Sequence, residues 1–530
     1  MFATLHKRLF SFESFAQGAR IHLSIFSCYL LLFVFGYFLF YSNSNQTSII
    51  SGITYSRIFI LFALFHLFII LIIRKKQCAN FLIHFWNENG SAKNLALFRI
   101  FFFFTLAGHF AVYTFQKELS WTYMPQSSRA SLPFIGWFIH HIPINPTLYS
   151  VLSILAAVFS FMVCIGFLTR YAILLLIPCA LYVLGVPMFF GKINHHHILI
   201  WIPLFFCFAP IADAWSIDAI RKKKQVIHSA IYSRPLKFVW IQLAIIYFFA
   251  GWVKLWNCGF EWALGDNMLN QIRWEWVEHF DKVPNLRIDH YPAVAKFGGL
   301  VVIVFELLYF LLIFKKNTRL IALVSATVFH LVTGYFMYID FATLRMIALS
   351  YIDWEKLLNS VKAYLKLPNT LSTGFDTLEQ NQINIPNKKA LFLSTTVLSI
   401  NFIFSCFSIH SYPFSSYPTY SAIAPNEITT LRMDAYTNEN KKVNVKLIAQ
   451  QNKFRWETMR PYEITIAKLY KEKDTVLMKQ KLMEYWLIWK NNLKQLHQVQ
   501  YIDLYLETTS IKPEERKNIL KTDSLGVLYF

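Results

Sequence analysis

The sequence is dominated by long apolar runs separated by short polar stretches. A helix needs roughly 20 apolar residues to cross about 30 Å of hydrocarbon. Runs of that kind lie near 21–42, 57–73, 95–115, 148–168, 171–190, 196–212, 237–256, 297–314, 318–338 and 389–409. A shorter stretch, 341–353, is expected to be re-entrant or the second half of a hairpin. The pattern predicts an all-α polytopic membrane bundle of about 9–11 spans.

After residue 410 the pattern changes. The runs 441–449 (KKVNVKLIA), 463–469 (EITIAKL) and 499–507 (VQYIDLYLE) alternate as strands with one buried face do. The stretch 475–496 has the periodicity of an amphipathic helix. The region 411–530 is therefore predicted to be a small α+β domain outside the membrane, entered through an aromatic-proline segment at 411–418.

Composition agrees with a membrane protein. Of 530 residues, 55% are hydrophobic and only 15% are charged, against about 25% charged in soluble domains. Apolar runs of this length exclude a disordered chain and argue against a nucleic-acid partner, despite a net charge of +21. Membrane lipid is the expected surrounding.

The distribution of cations predicts an orientation, because cytoplasmic loops carry an excess of Lys and Arg. The basic segments fall on one side when the spans are counted alternately; they are Lys7–Arg20, Arg74–Lys76, Arg221–Arg234 and Lys315–Arg319. That side is predicted to be cytoplasmic, together with the N-terminus. The loops 116–147, 191–195 and 257–293 and the C-terminal domain are then extracytoplasmic.

The densest polar cluster is Gly191-Lys192-Ile193-Asn194-His195-His196-His197. Adjacent histidines on a helix point about 100° apart and cannot share one metal, and the seven cysteines form no C-x-x-C pair, so no metal is expected. A lysine in a partly apolar pocket can act as a base near neutral pH, with a neighbouring imidazole as relay. The alternative is an interfacial loop in which Lys192 reaches water.

A second polar cluster spans 249–268. Lys254, Glu261 and Asp266 lie there among tryptophans, either at the mouth of a pocket or in an aromatic belt with a lysine reaching the interface. Polar residues inside spans are costly. Among these, Glu306 and Arg345 are expected to pair across helices, and His330 is either a proton relay or a structural hydrogen bonder.

An ordered set of motifs resembles the HTTM-domain membrane proteins, the family of the vitamin K-dependent γ-glutamyl carboxylase. The motifs cover roughly 94–353; they are NLALFRI (94–100), GFLTR (166–170), GKINHHH (191–197), DAWSID (213–218), YFFAGWVKL (247–255), GFEWALGDNM (259–268), FELL (305–308) and VFHLVTG (328–334). Each motif alone is weakly specific, but their order and spacing agree with the family.

The resemblance implies a chemistry. The family's carboxylase uses a lysine to deprotonate reduced vitamin K, and the oxygenated quinone then removes a proton from a glutamate side chain before carbon dioxide adds. On this chain the resemblance makes Lys192 the candidate base, with His195, His196 and His330 as relays. Asn194, Lys254, Glu261 and Asp266 become candidates for the quinone or substrate pocket, and a reduced vitamin K or menaquinone-type quinone becomes the expected cofactor.

Four segments are predicted: two N-terminal helices (1–93), the carboxylase-like membrane domain (94–353), a loop with the last span (354–410) and the C-terminal domain (411–530). Two functions fit them. The first is a membrane enzyme that uses a reduced quinone to carboxylate or otherwise modify a protein or peptide on the extracytoplasmic face. The second is a non-catalytic scaffold or lipid- or quinone-binding module whose C-terminal domain recruits a partner. The basic, Phe-rich composition favours a bacterial inner membrane.

Overall fold

The structure is a computed structural model that describes residues 46–112, 119–191, 195–223, 228–279, 281–339, 341–365, 388–452 and 459–530. These residues form a helical bundle followed by a small α+β domain, as predicted. The predicted span 21–42 lies outside the described residues, as do residues 366–387 of the segment 354–410.

The bundle contains sixteen α-helices in the described part of the chain. In order, they are α1 (Gln46–Ile73), α2 (Lys75–Asn87), α3 (Ala92–Gly108), α4 (Gly136–His141), α5 (Pro146–Ile165), α6 (Thr169–Phe189), α7 (Ile198–Phe206), α8 (Ile217–Lys222), α9 (Ala230–Cys258), α10 (Glu261–Leu264), α11 (Asn267–Glu278), α12 (Pro292–Leu312), α13 (Lys316–Met337), α14 (Ala342–Ala348), α15 (Trp354–Tyr364) and α16 (Lys388–Cys406). Two-residue strands, β1 (Gly90–Ser91) and β2 (His228–Ser229), pair before α3 and α9.

Eight of these helices are long and apolar enough to cross a membrane by length and composition: α1, α3, α5, α6, α9, α12, α13 and α16. The central one is α9, since 78% of its most apolar window is buried, against 11% in α1. A helix that is enclosed on most sides can carry polar side chains that a lipid-facing helix cannot. The polar interior of the bundle is therefore built around α9.

The prediction of a full span over 196–212 was wrong. The segment holds only the nine-residue helix α7, with Pro203 inside it, followed by irregular chain. Proline removes a backbone donor and clashes with the preceding turn. Nearly all of α7 is buried among other helices, where irregular backbone at membrane depth is tolerated.

The C-terminal domain combines a four-stranded antiparallel sheet with three α-helices. Its elements are β3 (Glu427–Thr437), β4 (Lys442–Val443), α17 (Val445–Gln451), α18 (Arg460–Glu472), α19 (Thr475–Asn492), β5 (Val499–Ser510) and β6 (Ile519–Tyr529). The strand order is β4-β3-β5-β6. Ile502 and Leu506 of β5 pair with Ala435 and Leu431 of β3, and all four side chains are buried.

Two of the three predicted strands in this domain were wrong. Most of 441–449 is α17, whose first turn is fixed because the Asn444 side chain accepts a hydrogen bond from Leu447 N at 2.9 Å. The segment 463–469 lies within α18, where Tyr462, Ile466 and Leu469 are buried at helical spacing. Alternation over seven residues could not separate the two periods. The helix predicted at 475–496 and the strand at 499–507 are present as α19 and β5.

The C-terminal domain docks on one end of the bundle, here called the docking end, formed by residues 119–130, 257–279 and 281–291. Lys446 and Arg516 contact Asp281 from the domain side at 2.9 and 2.6 Å. Burial opposes ionisation of Asp281, but these two cations outweigh burial and hold its pKa below the usual value. Glu484 accepts a hydrogen bond from Ser127 at 2.9 Å on the other side of the contact.

Candidate functional site

Three of the family-like motifs meet at the opposite, distal end of the bundle. The fully buried guanidinium of Arg99 donates to the carbonyl oxygens of Ile211, Ala214 and Trp215 at 2.8, 3.2 and 2.5 Å. A second contact lies beside Arg99. There, the carboxylate of Asp218 accepts hydrogen bonds from Thr169 N at 2.9 Å and Thr169 Oγ1 at 2.7 Å. These motifs hold helix ends together and are structural.

Gly166 lies in the same region, between the end of α5 and the start of α6. Its φ is +70°, in the left-handed region that favours glycine. A Cβ there would lie 2.2 Å from Ser216 Cβ. The close approach allows the α5–α6 turn to pack on the segment that leads to α8.

A second group of motifs meets inside the bundle, between α9 and α12. The ammonium of Lys254 donates to both carboxylate oxygens of Glu306, at 2.6 and 2.7 Å, and lies 5.2 Å from the ring centre of Trp262. A Cβ on Gly251 would lie 2.9 Å from Glu306 Cβ. Glycine thus lets the carboxylate approach α9. Glu306 was expected to pair with Arg345. That prediction was wrong, because Glu306 pairs with Lys254.

His330 lies on α13 and faces the same side of α9. The Tyr247 hydroxyl and His330 Nε2 share a hydrogen bond at 2.6 Å, whose direction depends on the tautomer of His330. Tyr309 packs on the Tyr247 ring at 4.5 Å and donates to the Tyr351 hydroxyl at 2.9 Å. The structure thus gives Lys254 and His330 partners that fix helices to one another, which favours a structural role for both.

The histidine cluster lies near the docking end. Lys192 and Asn194 lie outside the described residues, as does the side chain of His195. His196 is buried with its ring 4.9 Å from that of His109, which directly follows α3. His197 is buried with Nε2 2.7 Å from Met188 Sδ. The described part of the predicted catalytic segment is therefore packed inside the bundle.

Residues 411–421, here called the strap, connect α16 to the C-terminal domain and enter the bundle. Tyr412 donates to the carbonyl of Leu181 and packs on Phe189 with ring centres 5.3 Å apart. The chain makes room for it at Gly185, where a Cβ would lie 2.9 Å from the Tyr412 ring. The aromatic-proline segment is thus part of the bundle interior.

A cluster of buried polar groups surrounds Tyr417 of the strap. Gln242 Nε2 donates to the Tyr417 hydroxyl at 3.4 Å, and Trp201 and Asn401 face the same hydroxyl. His197 lies edge-on to the Tyr417 ring at 5.8 Å. All five side chains are at most 3% exposed. Gln242 Oε1 and His197 Nδ1 have no hydrogen-bond partner within the described residues.

The remaining predicted site residues lie beyond the end of α9. Glu261 begins α10, and a Cβ on Gly265 would overlap its carboxylate. Asp266 precedes α11 and is largely exposed, with Lys296 Nζ 3.3 Å from Oδ1. Both lie at the docking end, but Asp266 faces outward.

Sequence reasoning missed the polar groups that converge on Tyr417. Gln242 and Asn401 were detectable, because an amide inside an apolar run is costly unless it is bonded. Tyr417 was not, since its position depends on the fold of the strap. Conversely, Lys254, predicted to be a pocket residue, is held in place by Glu306.

These features define a class: a multi-pass helical membrane protein with two internal polar clusters and an α+β domain docked over one end. Within that class the chain belongs to the HTTM domain family, whose family model matches residues 87–355. The match covers half of the chain and agrees with the motif-based resemblance. No curated protein and no solved structure gave a significant match to the chain.

Proposed function

We propose that the chain is a carboxylase-like membrane enzyme that takes a reduced quinone from the bilayer and modifies a protein or peptide substrate at the docking end. The observation that supports this proposal is the buried polar cluster around Tyr417. It lies in an apolar bundle, and two of its members, His197 and Trp201, follow the candidate base Lys192 closely in the sequence. Membership of the HTTM family supports the same function, by analogy with other proteins that contain this domain.

The residues around Tyr417 are of the types that bind a quinone ring. Such a ring needs apolar walls and a few polar groups that face its oxygens. Trp201 and Tyr412 supply aromatic surface, and Tyr417, Gln242 and His197 supply the polar atoms, two of which lack a partner within the described residues. When bound, a reduced quinone of the vitamin K or menaquinone type supplies an oxidisable ring hydroxyl.

The chain's own residues then have separate roles. Lys192 is the proposed base that removes a proton, and the neighbouring His195 and His196 are the proposed relays. Gln242 and Tyr417 orient the ring oxygens. Met188 fixes the ring of His197 by its contact with Nε2, which leaves Nδ1 to hold a proton or bond an oxygen. His330 and Lys254, predicted as a relay and a pocket residue, are proposed to stabilise the bundle instead.

The proposal includes a location. The basic segments Arg74–Lys76 and Lys315–Arg319 lie at the distal end of the helices, so the positive-inside rule makes that end cytoplasmic. The docking end and the C-terminal domain then face the extracytoplasmic side of a bacterial inner membrane. A substrate would reach the site from that side.

The test is carbon dioxide fixation by the purified full chain. Reduced menaquinone, molecular oxygen, labelled bicarbonate and glutamate-containing peptides are supplied, and fixed label and quinone epoxide are measured. We expect turnover in the wild type and its loss in Lys192→Ala, with Lys296→Ala, a partly exposed lysine at the same end, as the matched control. An inactive wild type, or unchanged turnover in Lys192→Ala, would overturn the assignment.

Quinone binding is measured separately through quenching of tryptophan fluorescence, because Trp201 faces the Tyr417 hydroxyl. Loss of one neutral hydrogen bond costs about 0.5–1.5 kcal/mol. Gln242→Leu should therefore weaken binding by roughly threefold to tenfold. Equal affinity in Gln242→Leu would place the quinone elsewhere.

A second candidate function is a non-catalytic scaffold or lipid- or quinone-binding module. The observation that favours it is the open edge of the C-terminal sheet, where β6 is an outer strand and exposes Leu520, Val527 and Tyr529. An exposed edge strand can pair with another chain. Quinone binding by a wild type that fixes no label would support this second function.

A further inference from the structure

Residues 133–143, here called the α4 segment, expose a patch of aromatic rings at the docking end of the bundle. Phe134, Trp137 and Phe138 are 81%, 75% and 54% exposed. The ring centre of Phe134 lies 5.7 Å from that of Phe404, which is in the last turn of α16. Because α16 is long and apolar enough to cross a membrane, this contact places the patch where a span leaves the bilayer.

The backbone carbonyls of the α4 segment are bonded to side chains from other parts of the chain. Arg129 Nη1 donates to the carbonyl oxygens of Ile139 and Ile142 at 2.7 and 2.9 Å. The Tyr182 hydroxyl donates to the carbonyl of Pro143 at 2.8 Å. A carbonyl that faces water needs no such partner, whereas an unpaired carbonyl in hydrocarbon is costly. The backbone of this exposed segment is therefore suited to an apolar environment.

The α4 segment also adjoins both parts of the proposed site. The Ser411 hydroxyl donates to the carbonyl of Pro133, which ties the segment to the strap. Just before the segment, Ala130 N donates to the carbonyl of Phe189 at 2.7 Å. Phe189 precedes the candidate base Lys192 by three residues. The aromatic patch is thus connected to the strap and to the chain that leads to the candidate base.

A row of aromatic rings leads from the patch to the cluster around Tyr417. The ring centre of Phe404 lies 5.2 Å from that of Phe414 in the strap. Phe414 in turn stacks on Trp201 with ring centres 4.7 Å apart. Trp201 faces the Tyr417 hydroxyl. Together with Phe134, these rings form one apolar connection between the exposed patch and the buried polar cluster.

The backbone at Phe134 is strained. Its φ is +64°, in the left-handed region that favours glycine and is costly for a bulky residue. Strain of this kind persists where surrounding contacts fix the backbone, and it occurs often at ligand-binding sites. The chain thus carries a large ring at the outer end of the row, although glycine would suit that backbone better.

We propose that the α4 segment enters the bilayer leaflet at the docking end and, with the end of α16, forms the entrance through which a lipid-soluble quinone reaches the Tyr417 cluster. The entrance rests on the function proposed above, whereas the contact with lipid does not. Trp137 stacks on the exposed ring of His141 at 4.4 Å, and such a pair has the apolar body and polar tip that suit a membrane–water interface. A quinone in that leaflet passes between Phe134 and Phe404.

Contact with lipid is tested by electron paramagnetic resonance on the full chain in phosphatidylcholine nanodiscs. Spin labels are attached to Trp137→Cys and, as the control, to Val476→Cys on α19, since Val476 is 81% exposed. Both are made in a chain whose Cys28, Cys78 and Cys406 are changed to serine. We expect the first label to be relaxed by oxygen, which concentrates in the bilayer, and the second by a water-soluble nickel complex. Equal relaxation of both labels by nickel overturns the proposal.

The entrance is tested by stopped-flow measurement of menaquinone binding, followed by quenching of tryptophan fluorescence. Phe134→Gly removes the outermost ring and suits the positive φ, so this variant should fold. Because Phe404 and Phe414 separate Phe134 from the cluster, we expect association and dissociation to become several-fold faster with an unchanged Kd. Phe297→Ala, which removes an exposed ring from α12, is the control and should leave both rates unchanged.

The outcomes separate the entrance from the function on which it rests. Normal binding by the wild type with unchanged rates in Phe134→Gly, or equal acceleration in Phe297→Ala, overturns the entrance alone. A wild type that binds no menaquinone overturns the proposed function and the entrance together. The spin labels decide the contact with lipid in either case.

Discussion

The ammonium of Lys254 lies 2.6 and 2.7 Å from the two carboxylate oxygens of Glu306, with both side chains buried between α9 and α12. Each residue alone would be a costly charge inside a membrane bundle. Together they form an ion pair that fixes two spans, and Gly251 permits the close approach. This ion pair explains why Lys254, which lies in a motif that suggests a functional site, stabilises the fold instead.

Removing one partner of this pair should be strongly destabilising. Lys254→Met leaves Glu306 buried without its cation, which typically costs about 3–5 kcal/mol. We expect a large fall in the unfolding temperature of the purified protein in detergent. The double variant Lys254→Met with Glu306→Leu should recover most of the loss, and a double variant as unstable as the single one would contradict the pairing.

Gly166 provides a second test. Gly166→Ala combines a positive φ with a Cβ that would overlap Ser216, so we expect a loss above about 1 kcal/mol. Gly298→Ala is the control, because its Cβ would meet open space within α12. In a helix, alanine is favoured over glycine by up to about 1 kcal/mol. The two changes should therefore shift the unfolding temperature in opposite directions.

The docking of the C-terminal domain should weaken in acid. The folded-state pKa of Asp281 is lowered by Lys446 and Arg516, so its contribution is present above the unfolded-state pKa of about 3.9. The contribution is lost as pH falls through the lower folded-state pKa. Since Asp281 is 40% exposed, we expect only about 0.5–1 kcal/mol.

Hydrogen exchange at α17 across pH 3 to 7 measures this effect. Asp281→Asn should show faster exchange at pH 7 and less change with pH than the wild type. An identical pH profile in the two proteins would show that Asp281 does not contribute to docking.

The strap should depend on Gly185. A Cβ at that position would lie 2.9 Å from the Tyr412 ring, so Gly185→Val should displace the strap and speed hydrogen exchange over 411–421. Gly108→Val is the control, since a Cβ there has no atom outside its own helix within 4 Å. Unchanged exchange in Gly185→Val would mean that the bundle accommodates the added side chain.

The spans were predictable because length and apolarity decide whether a helix can cross a membrane. The early end of the helix predicted over 196–212 was not foreseen, because averaged hydrophobicity does not register the effect of Pro203. In the C-terminal domain, α18 was mistaken for a strand because Tyr462, Ile466 and Leu469 reveal the helical period only over a longer window than the alternating run.

The site was less predictable than the fold. The motifs identified the family, but most of their polar residues form contacts between helices, as Arg99 and Asp218 do. The cluster at Tyr417 joins residues from α7, α9, α16 and the strap, which are far apart in the sequence. Nothing local in the chain indicates that these residues meet.

The position of the strap also orders the assembly of the protein. Tyr412 and Tyr417 follow all the helices that they cover, so during synthesis they are among the last parts of the bundle interior to be made. A nascent chain that ends at α16 would carry the partners of both tyrosines while lacking the tyrosines themselves. Completion of the bundle interior at the docking end is thus tied to translation beyond the last membrane helix.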